Sequence, residues 1–250
     1  MTTSCPSFIF QTPDGWTVEN APGLVDGGWE LGVPINCSRG DPPADALGQG
    51  GSCFLTDNAP APDCNTDVDG SFTRLMSPVL DLSGLRDPVL SYARWYSNST
   101  GTAPGEDTLV VEVSADGGDT WVLLETVGPG AGSANPDVNG GWRTRAFDIA
   151  RTVSPGARFR LRFTASDEGS PSIVEAAVDS VTITGVRVQS PPGSCPGDAD
   201  GDARVTFQDV IMVLSTWGGP GPTGDVNASG RVDFDDIVSV LANWGGVCRL

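Results

Sequence analysis

The chain has 250 residues, more than one ordinary domain of roughly 100–150 residues, so a main domain with a smaller companion is the natural division. Thirty-two acidic residues oppose fourteen basic ones, and the resulting net charge of −18 disfavours nucleic acid and anionic membrane while favouring a divalent cation. No histidine is present and every basic residue is arginine, which removes the commonest general base and the commonest transition-metal ligand.

Met1-Thr-Thr-Ser-Cys5-Pro6 is polar and is no signal peptide, and no run of about 18–20 apolar residues exists to span a membrane. Six cysteines in an acidic, turn-rich chain read as bridges. The expectation is therefore an extracellular or cell-surface protein whose leader has been removed. Cys195 and Cys248 bracket the C-terminal segment and suggest a clasp. Cys5, Cys37, Cys53 and Cys64 then allow three connectivities; Cys37–Cys53, closing the Arg39-Gly40-Asp41-Pro42-Pro43 loop, is preferred, which leaves Cys5–Cys64.

Thirty-three glycines and twenty prolines separate short strand-like runs through residues 1–189. In order these are Phe8–Phe10, Trp16–Val18, Trp29–Leu31, Phe54–Thr56, Phe72–Met76, Val79–Leu82, Val89–Trp95, Leu109–Val113, Trp121–Thr126, Trp142–Phe147, Arg158–Phe163 and Val178–Val188. Alternation is cleanest in Arg158–Phe163, which sends Phe159, Leu161 and Phe163 inward and three arginines outward. About a dozen such runs suit a two-sheet sandwich, and the expected form is a jelly roll.

Ser114-Ala-Asp116-Gly-Gly118-Asp-Thr-Trp121 fits the Asp-box pattern of sialidase propellers. A propeller needs several copies, so this single copy reads as a hairpin whose Asp caps the turn. Arg39-Gly40-Asp41 matches an integrin-type tripeptide, which chance explains as well. Trp95, Tyr96 or Trp142 could form a sugar-stacking platform, although such rings are more often core.

Asp57, Asp67 and Asp69 cluster in one loop-like segment, and Asp179 interrupts the apolar entry to the last strand. An unpaired buried carboxylate is costly, so two arrangements suggest themselves. Either a cation is shared by Asp67, Asp69 and Asp179 with help from Asp57 or Glu175, or Asp67 and Asp69 solvate a turn while Asp179 meets an arginine.

Residues 190–194, within the Ser190-Pro-Pro-Gly193 stretch, read as a semi-rigid linker. Beyond it, residues 195–250 contain one loop-plus-helix unit twice at an offset of 27 residues. The first loop offers Asp198, Asp200, Asp202, Thr206 and Asp209; the second offers Asp225, Asn227, Ser229, Asp233 and Asp236. Oxygen side chains fall at loop positions 1, 3, 5, 9 and 12, and Arg204 and Arg231 at position 7 supply backbone carbonyls. That is the spacing of an EF-hand-type loop, and calcium takes roughly six to eight oxygens. Val210, Val213, Leu214 and Trp217, and then Ile237, Val240, Leu241 and Trp244, hold the spacing of one buried helical face, with Gly218 and Gly245 as stops. Two such helices pack around paired tryptophans where one alone could not.

These repeats resemble type I dockerins, and the cysteine-flanked form with Trp-Gly helix ends is similar to the GC-type variant of secreted bacterial proteins. The resemblance implies two bound calcium ions and docking onto a cohesin-like domain. The family's partner-reading positions fall here on Phe207, Gln208, Phe234 and Asp235, which depart from the usual Ser/Thr-like pairs.

Residues 7–186 resemble the MAM-like or choice-of-anchor-J-type modules of secreted bacterial proteins, through Thr56-Asp-Asn58, Asp67-Val-Asp-Gly70, Leu75-Met-Ser-Pro78 with Asp81-Leu-Ser-Gly84, Val113–Gly118 with Trp121, and Ser172–Asp179. This implies a non-catalytic jelly roll, often with a structural calcium. The expected fold class is thus mainly β, a jelly-roll-type sandwich followed by a small all-α calcium-binding domain.

The first functional hypothesis is a secreted, non-catalytic binding or adhesive module, whose partner is a cohesin-like domain or another copy of the same protein, with polysaccharide as a candidate ligand of the sandwich. Docking of one copy's tail on the next copy's sandwich would build a filament or lattice. The competing class is a polysaccharide-degrading enzyme carrying a dockerin. Its available carboxylates are Glu106, Asp107 and Glu175, whose spacing marks no acid/base pair.

Overall fold

The computed structural model describes residues 14–58, 64, 66–83, 85–130, 135–187, 195–202, 204–220 and 223–247, and the backbone of Phe8–Ile9. The chain divides into two compact units, Met1–Leu82 with Asp87–Val186, and Arg187–Leu250 with Ser83–Arg86. The expected linker at 190–194 lies outside the described residues, as do Cys5 and Cys248.

The larger unit is mainly β, two sheets of antiparallel strands in the manner of a β-sandwich. One sheet has the order β3 (Trp29–Gly32), β4 (Cys53–Thr56), β11 (Ser172–Arg187), β6 (Leu85–Gly101), β9 (Arg143–Asp148), with β1 (Phe8–Ile9) added to β11 at Ile183 and Thr182. The other has the order β2 (Thr17–Asn20), β5 (Phe72–Met76), β10 (Arg160–Ser166), β7 (Leu109–Ser114), β8 (Val122–Val127).

Period-two alternation decides which side chains enter the core. Phe159, Leu161, Phe163 and Ala165 are buried, and their register partners Leu75, Leu109, Val111 and Val113 are buried with them. From the six-stranded sheet Leu90, Tyr92, Tyr96, Val174, Ala176 and Val178 are buried as well. Strand β6 runs well past the expected Trp95 into Tyr96-Ser-Asn-Ser-Thr100, a polar run that stays extended because its polar groups are paired. Asn98 Nδ2 donates to Ser172 Oγ at 2.6 Å, while its Oδ1 accepts from the Gly105 and Asp107 amides at 2.9 and 3.2 Å. The expected strand Val79–Leu82 is reduced to a single bridge between Leu80 and Phe159.

The expected pairing of Cys37, Cys53 and Cys64 is overturned. Cys37 is bonded to Cys64, and Cys53 is a free, buried thiol. Cys53 sits inside β4, where it packs with Leu55 and Ala177 beneath Trp95 and Trp142, so neither the preferred Cys37–Cys53 bridge nor Cys5–Cys64 forms. Burial, with the charges of Asp179 and Asp45, pushes the Cys53 thiol up to about 12. Cys195 is disulfide-bonded.

The smaller unit holds two helices, α1 (Phe207–Ser215) and α2 (Phe234–Ala242). Thr206 and Asp233 cap them, and Asp209 and Asp236 at the third helical position return bonds to the cap amides, a reciprocal capping box in both copies. The helices end at Thr216 and Asn243, two residues before Gly218 and Gly245. The core is four valines, Val205, Val213, Val232 and Val240, flanked by Val210 and Ile237. The copies cross-link symmetrically: Val205 exchanges backbone bonds with Gly245 and Gly246, and Val232 with Gly218 and Gly219, all at 2.8–3.1 Å.

Trp217 and Trp244 are each 51 % exposed, and Leu214 and Leu241 also face solvent, which corrects the expectation that paired tryptophans form the core. Each helix is apolar over most of its circumference, and the compact valine side chains turn inward.

Candidate functional site

Two groups of acidic side chains converge among the described residues. In the smaller unit the carboxylates of Asp198, Asp200 and Asp202 lie within 4.8 Å of one another. They are held by the loop's own amides: Asp198 Oδ1 accepts from Gly201 at 2.7 Å and Asp202 at 3.1 Å, and Asp202 Oδ1 from Arg204 at 2.8 Å. Asp209 is fully buried beside them, its Oδ1 accepting from the Ala199 and Asp200 amides and its Oδ2 from Thr206.

The second loop repeats the plan. Asp225 Oδ1 and Asn227 Oδ1 both accept from the Ser229 amide at 2.9 Å, and Asp236 accepts from Asn227 and Asp233. Burial raises the Asp236 carboxyl above its usual range, and the Asp225 and Asp233 charges add to it. Thr206 and Asp233 serve as helix caps. The donor set is oxygen only, dense and anionic, which fits a hard divalent cation.

The same unit exposes an apolar surface that repeats with the sequence. Phe207, Ile211, Leu214 and Trp217 on one copy, and Phe234, Val238, Leu241 and Trp244 on the other, are each between 43 and 66 % exposed. Members of the two sets correspond one to one under the 27-residue shift. Phe207, Gln208, Phe234 and Asp235, the expected partner-reading positions, are all exposed at the first turns of the helices.

In the sandwich the converging carboxylates are Asp67, Asp69 and Asp167, again within 4.8 Å of one another. Asp67 is held in place by the Val68 amide bonding Val174 O at 3.0 Å; Asp167 follows β10 directly, its amide bonding Ser71 O at 3.0 Å and its Oδ2 accepting from the Ser172 amide at 3.1 Å. Arg39 reaches Asp67 at 3.2 Å. Burial, with Asp69 alongside, lifts Asp67 to about 6, and burial lifts Asp167 to about 6. Glu175 is buried and pushed up to about 10 by burial, then by the charges of Asp41 and Asp67. The Tyr96 hydroxyl, buried and within electrostatic reach of Asp107 and Asp167, has no hydrogen-bond partner among the described residues. Asp69 and Asp167 also line a cavity of about 270 Å³ with Val25, Gly70, Gly169 and Pro171.

This arrangement corrects the sequence expectation at Asp179. Its carboxylate accepts from the Ala46 and Ser180 amides and stands beside Cys53 and Asp45. Glu175 and Asp179 are four residues apart on one strand, roughly 13 Å, so one cation cannot serve both ends. Asp167 takes the expected place; it lies in a Ser166-Asp-Glu-Gly169 turn that reads as solvated, and its only sequence signal is a carboxylate directly after an alternating strand. Asp57 acts on the group through its charge on Glu175.

Other candidates have structural positions. Arg39 also bonds Cys64 O, and Asp41 accepts from the Cys37 and Arg39 amides, so the Arg-Gly-Asp tripeptide is folded into its own loop. Trp95 and Trp142 donate their indole N–H groups to Gly40 O and Ala44 O, meet edge-on at 5.9 Å and are half-buried, while Tyr96 is fully buried and so belongs to the core. Asp116 accepts from Ser114, the Thr120 amide and the Thr120 hydroxyl, the capped hairpin that a single Asp-box implies. Asp107 is engaged by Ser172 Oγ at 2.7 Å and the Glu168 amide at 3.0 Å, and Glu106 is exposed.

No helix among the described residues is long and apolar enough to cross a membrane. No protein-family model and no curated protein matches the chain. Solved structures with a similar path include a cleaved adhesin domain of Lys-gingipain from Porphyromonas gingivalis, with 16% identity over 74% of this chain and 99% of that one at a TM-score of 0.45. A xylan-binding domain from Paenibacillus barcinonensis has 16% identity over 73% of this chain and 94% of its own at 0.36. A cyclase from Fischerella sp. TAU has 17% identity over 74% of this chain and 90% of its own at 0.39.

Proposed function

We propose that the protein is an extracellular modular binding protein in which a jelly-roll-type sandwich carries a glycan-binding or adhesive surface and a dockerin-like tail attaches it to a protein partner in a calcium-dependent way. One observation carries the reading: a 27-residue repeat that places oxygen-only loops directly before two helices whose outward faces bear matching sets of four exposed apolar side chains. Exposed apolar groups in a matched array of this kind mark an interaction surface. Calcium binding would fix the loops, the loops fix the capped helices, and the helices present the array. The partner is a cohesin-like domain or the sandwich of another copy. The Cys37–Cys64 bond supports an oxidising, extracellular setting.

A third calcium would be held in the sandwich by Asp67, Asp69 and Asp167. The residues fit it: three carboxylates meet at one point, two of them buried, where a cation relieves repulsion that protons otherwise must relieve.

The test is removal of the ion. In the full chain, excess chelator should abolish helical signal in the far-UV spectrum while the β signal remains, and re-addition of calcium should restore it. A spectrum that chelator leaves unchanged contradicts the reading.

A further inference from the structure

The outward side of the five-stranded sheet carries a feature that calcium and docking leave unused. Alternation that buries Leu161, Phe163 and Ala165 sends Arg160, Arg162 and Thr164 to the outside, and on β5 it sends Phe72 and Arg74 there. Register sets Thr164 opposite Arg74 and Arg162 opposite Glu112. Arg74, Arg162 and Arg160 therefore descend diagonally across two neighbouring strands, with Arg158 continuing the row. Four of the fourteen arginines of a chain with net charge −18 share this one face.

Two of them sit over rings. The Arg74 guanidinium carbon is 4.0 Å from the Phe72 centroid, and that of Arg162 is 4.3 Å from the Trp121 centroid. This contact holds each guanidinium in place. It also covers the ring face on which a neutral sugar would stack. The surface is thus suited to hydrogen-bonded recognition of oxyanions rather than to stacking.

Donor capacity remains open. Arg74 is taken up by Glu19 at 3.3 Å. Arg160 gives its Nε to Ser77 O at 2.9 Å and has no carboxylate partner among the described residues. Arg158, with its side chain 62 % exposed, reaches Asp119 at 3.7 Å.

We propose that this face binds a polysaccharide bearing carboxylates, a uronate-containing glycan, with Arg158 and Arg160 meeting carboxylates along the chain. The inference rests on the reading of the sandwich as a glycan-binding module and names its ligand class. A carboxylate matches the planar fork of a guanidinium. A sparsely charged glycan also tolerates the acidic remainder of the molecule better than a nucleic acid does, with its charge every ~1.7 Å.

The experiment measures binding of the full chain, at one fixed calcium concentration, to polygalacturonate, to the same backbone with its carboxylates methyl-esterified, to neutral xylan, to dextran sulfate, which carries sulfates and no carboxylate, and to double-stranded DNA. Arg160→Gln and Arg158→Gln are compared with Arg151→Gln, an 86 % exposed arginine that belongs to the six-stranded sheet's side of the sandwich, and thermal melts verify that each variant is folded. The expected result is binding to polygalacturonate that weakens about tenfold on esterification and about tenfold in Arg160→Gln, a loss of about 1.4 kcal/mol, with Arg151→Gln unchanged. Equal binding of esterified or neutral glycan, unaffected by Arg158→Gln and Arg160→Gln, overturns the ligand class and leaves the glycan-binding reading standing. Tighter binding of dextran sulfate or DNA than of polygalacturonate also overturns it. Binding to none of the glycans overturns both.

Discussion

Asp67 and Asp167 are buried carboxylates whose folded forms hold protons more tightly than an unfolded chain does. The sign follows directly: with folded values about 6 and ordinary values near 3.9, their contribution is fully favourable below about pH 4 and is lost as pH rises to about 6. Glu175, raised to about 10, extends the decline upward. The difference in melting temperature between the wild type and Asp167→Asn, followed from pH 4.5 to 7.5 in chelator, isolates the effect. The variant should gain on the wild type as pH rises, and calcium should stabilise the wild type more at pH 7.5 than at pH 5 while adding less to the variant. A variant that loses ground with rising pH contradicts the assignment.

Cys53 supplies a second residue-scale prediction. A thiol packed with Leu55 and Ala177 and pushed up to about 12 is a poor nucleophile, so alkylation at Cys53 should require denaturation. Labelling at native pH 8 would contradict this placement. The Cys37–Cys64 bridge encloses a 27-residue separation, and its reduction should cost about 3–4 kcal/mol of stability on the chain-entropy model, read as a shift in denaturant midpoint.

At the scale of elements, the two faces of each helix separate packing from docking. Val213→Ala or Val240→Ala removes buried methyl groups and should cost about 2 kcal/mol. Leu214→Ala and Leu241→Ala, at exposed positions, should change stability by no more than about 0.5 kcal/mol while weakening calcium-dependent association. Equal destabilisation by both pairs in thermal melts would mean that the outward array is covered within the chain.

The same elements show what a sequence makes legible. Arg158–Phe163 declares its inner and outer faces because a period of two admits no other assignment once Phe159 and Leu161 are inside. The repeat at 27 residues likewise locates both loops and both caps. A helix that is apolar on most sides leaves open which side faces in, and that is why Trp217 and Trp244 sit outside against expectation. The polar end of β6 was hidden for a related reason: Asn98 is buried through bonds to Ser172, Gly105 and Asp107 that no local pattern encodes. Cysteine pairing and the convergence of Asp167, instead of Asp179, with Asp67 and Asp69 depend on long-range folding in the same way.

For the whole molecule the net charge of −18 sets the terms. Its carboxylates gather in places where protons or cations must balance them, and at neutral pH a cation is the more effective agent. The calcium-free chain is thus expected to keep its sandwich and lose the order of its C-terminal helices. Sedimentation at rising concentration, with and without calcium, should then show association in calcium if the tail docks on another copy. A strict monomer would assign the exposed helix array to a different protein.

Calcium stoichiometry of the full chain, measured by equilibrium titration after exhaustive chelation, tests the account most directly. The wild type should bind two ions through the tandem loops and a third in the sandwich, and an Asp198→Ala, Asp225→Ala double variant should lose the two loop ions and retain the third. A double variant that binds as many ions as the wild type would contradict the account.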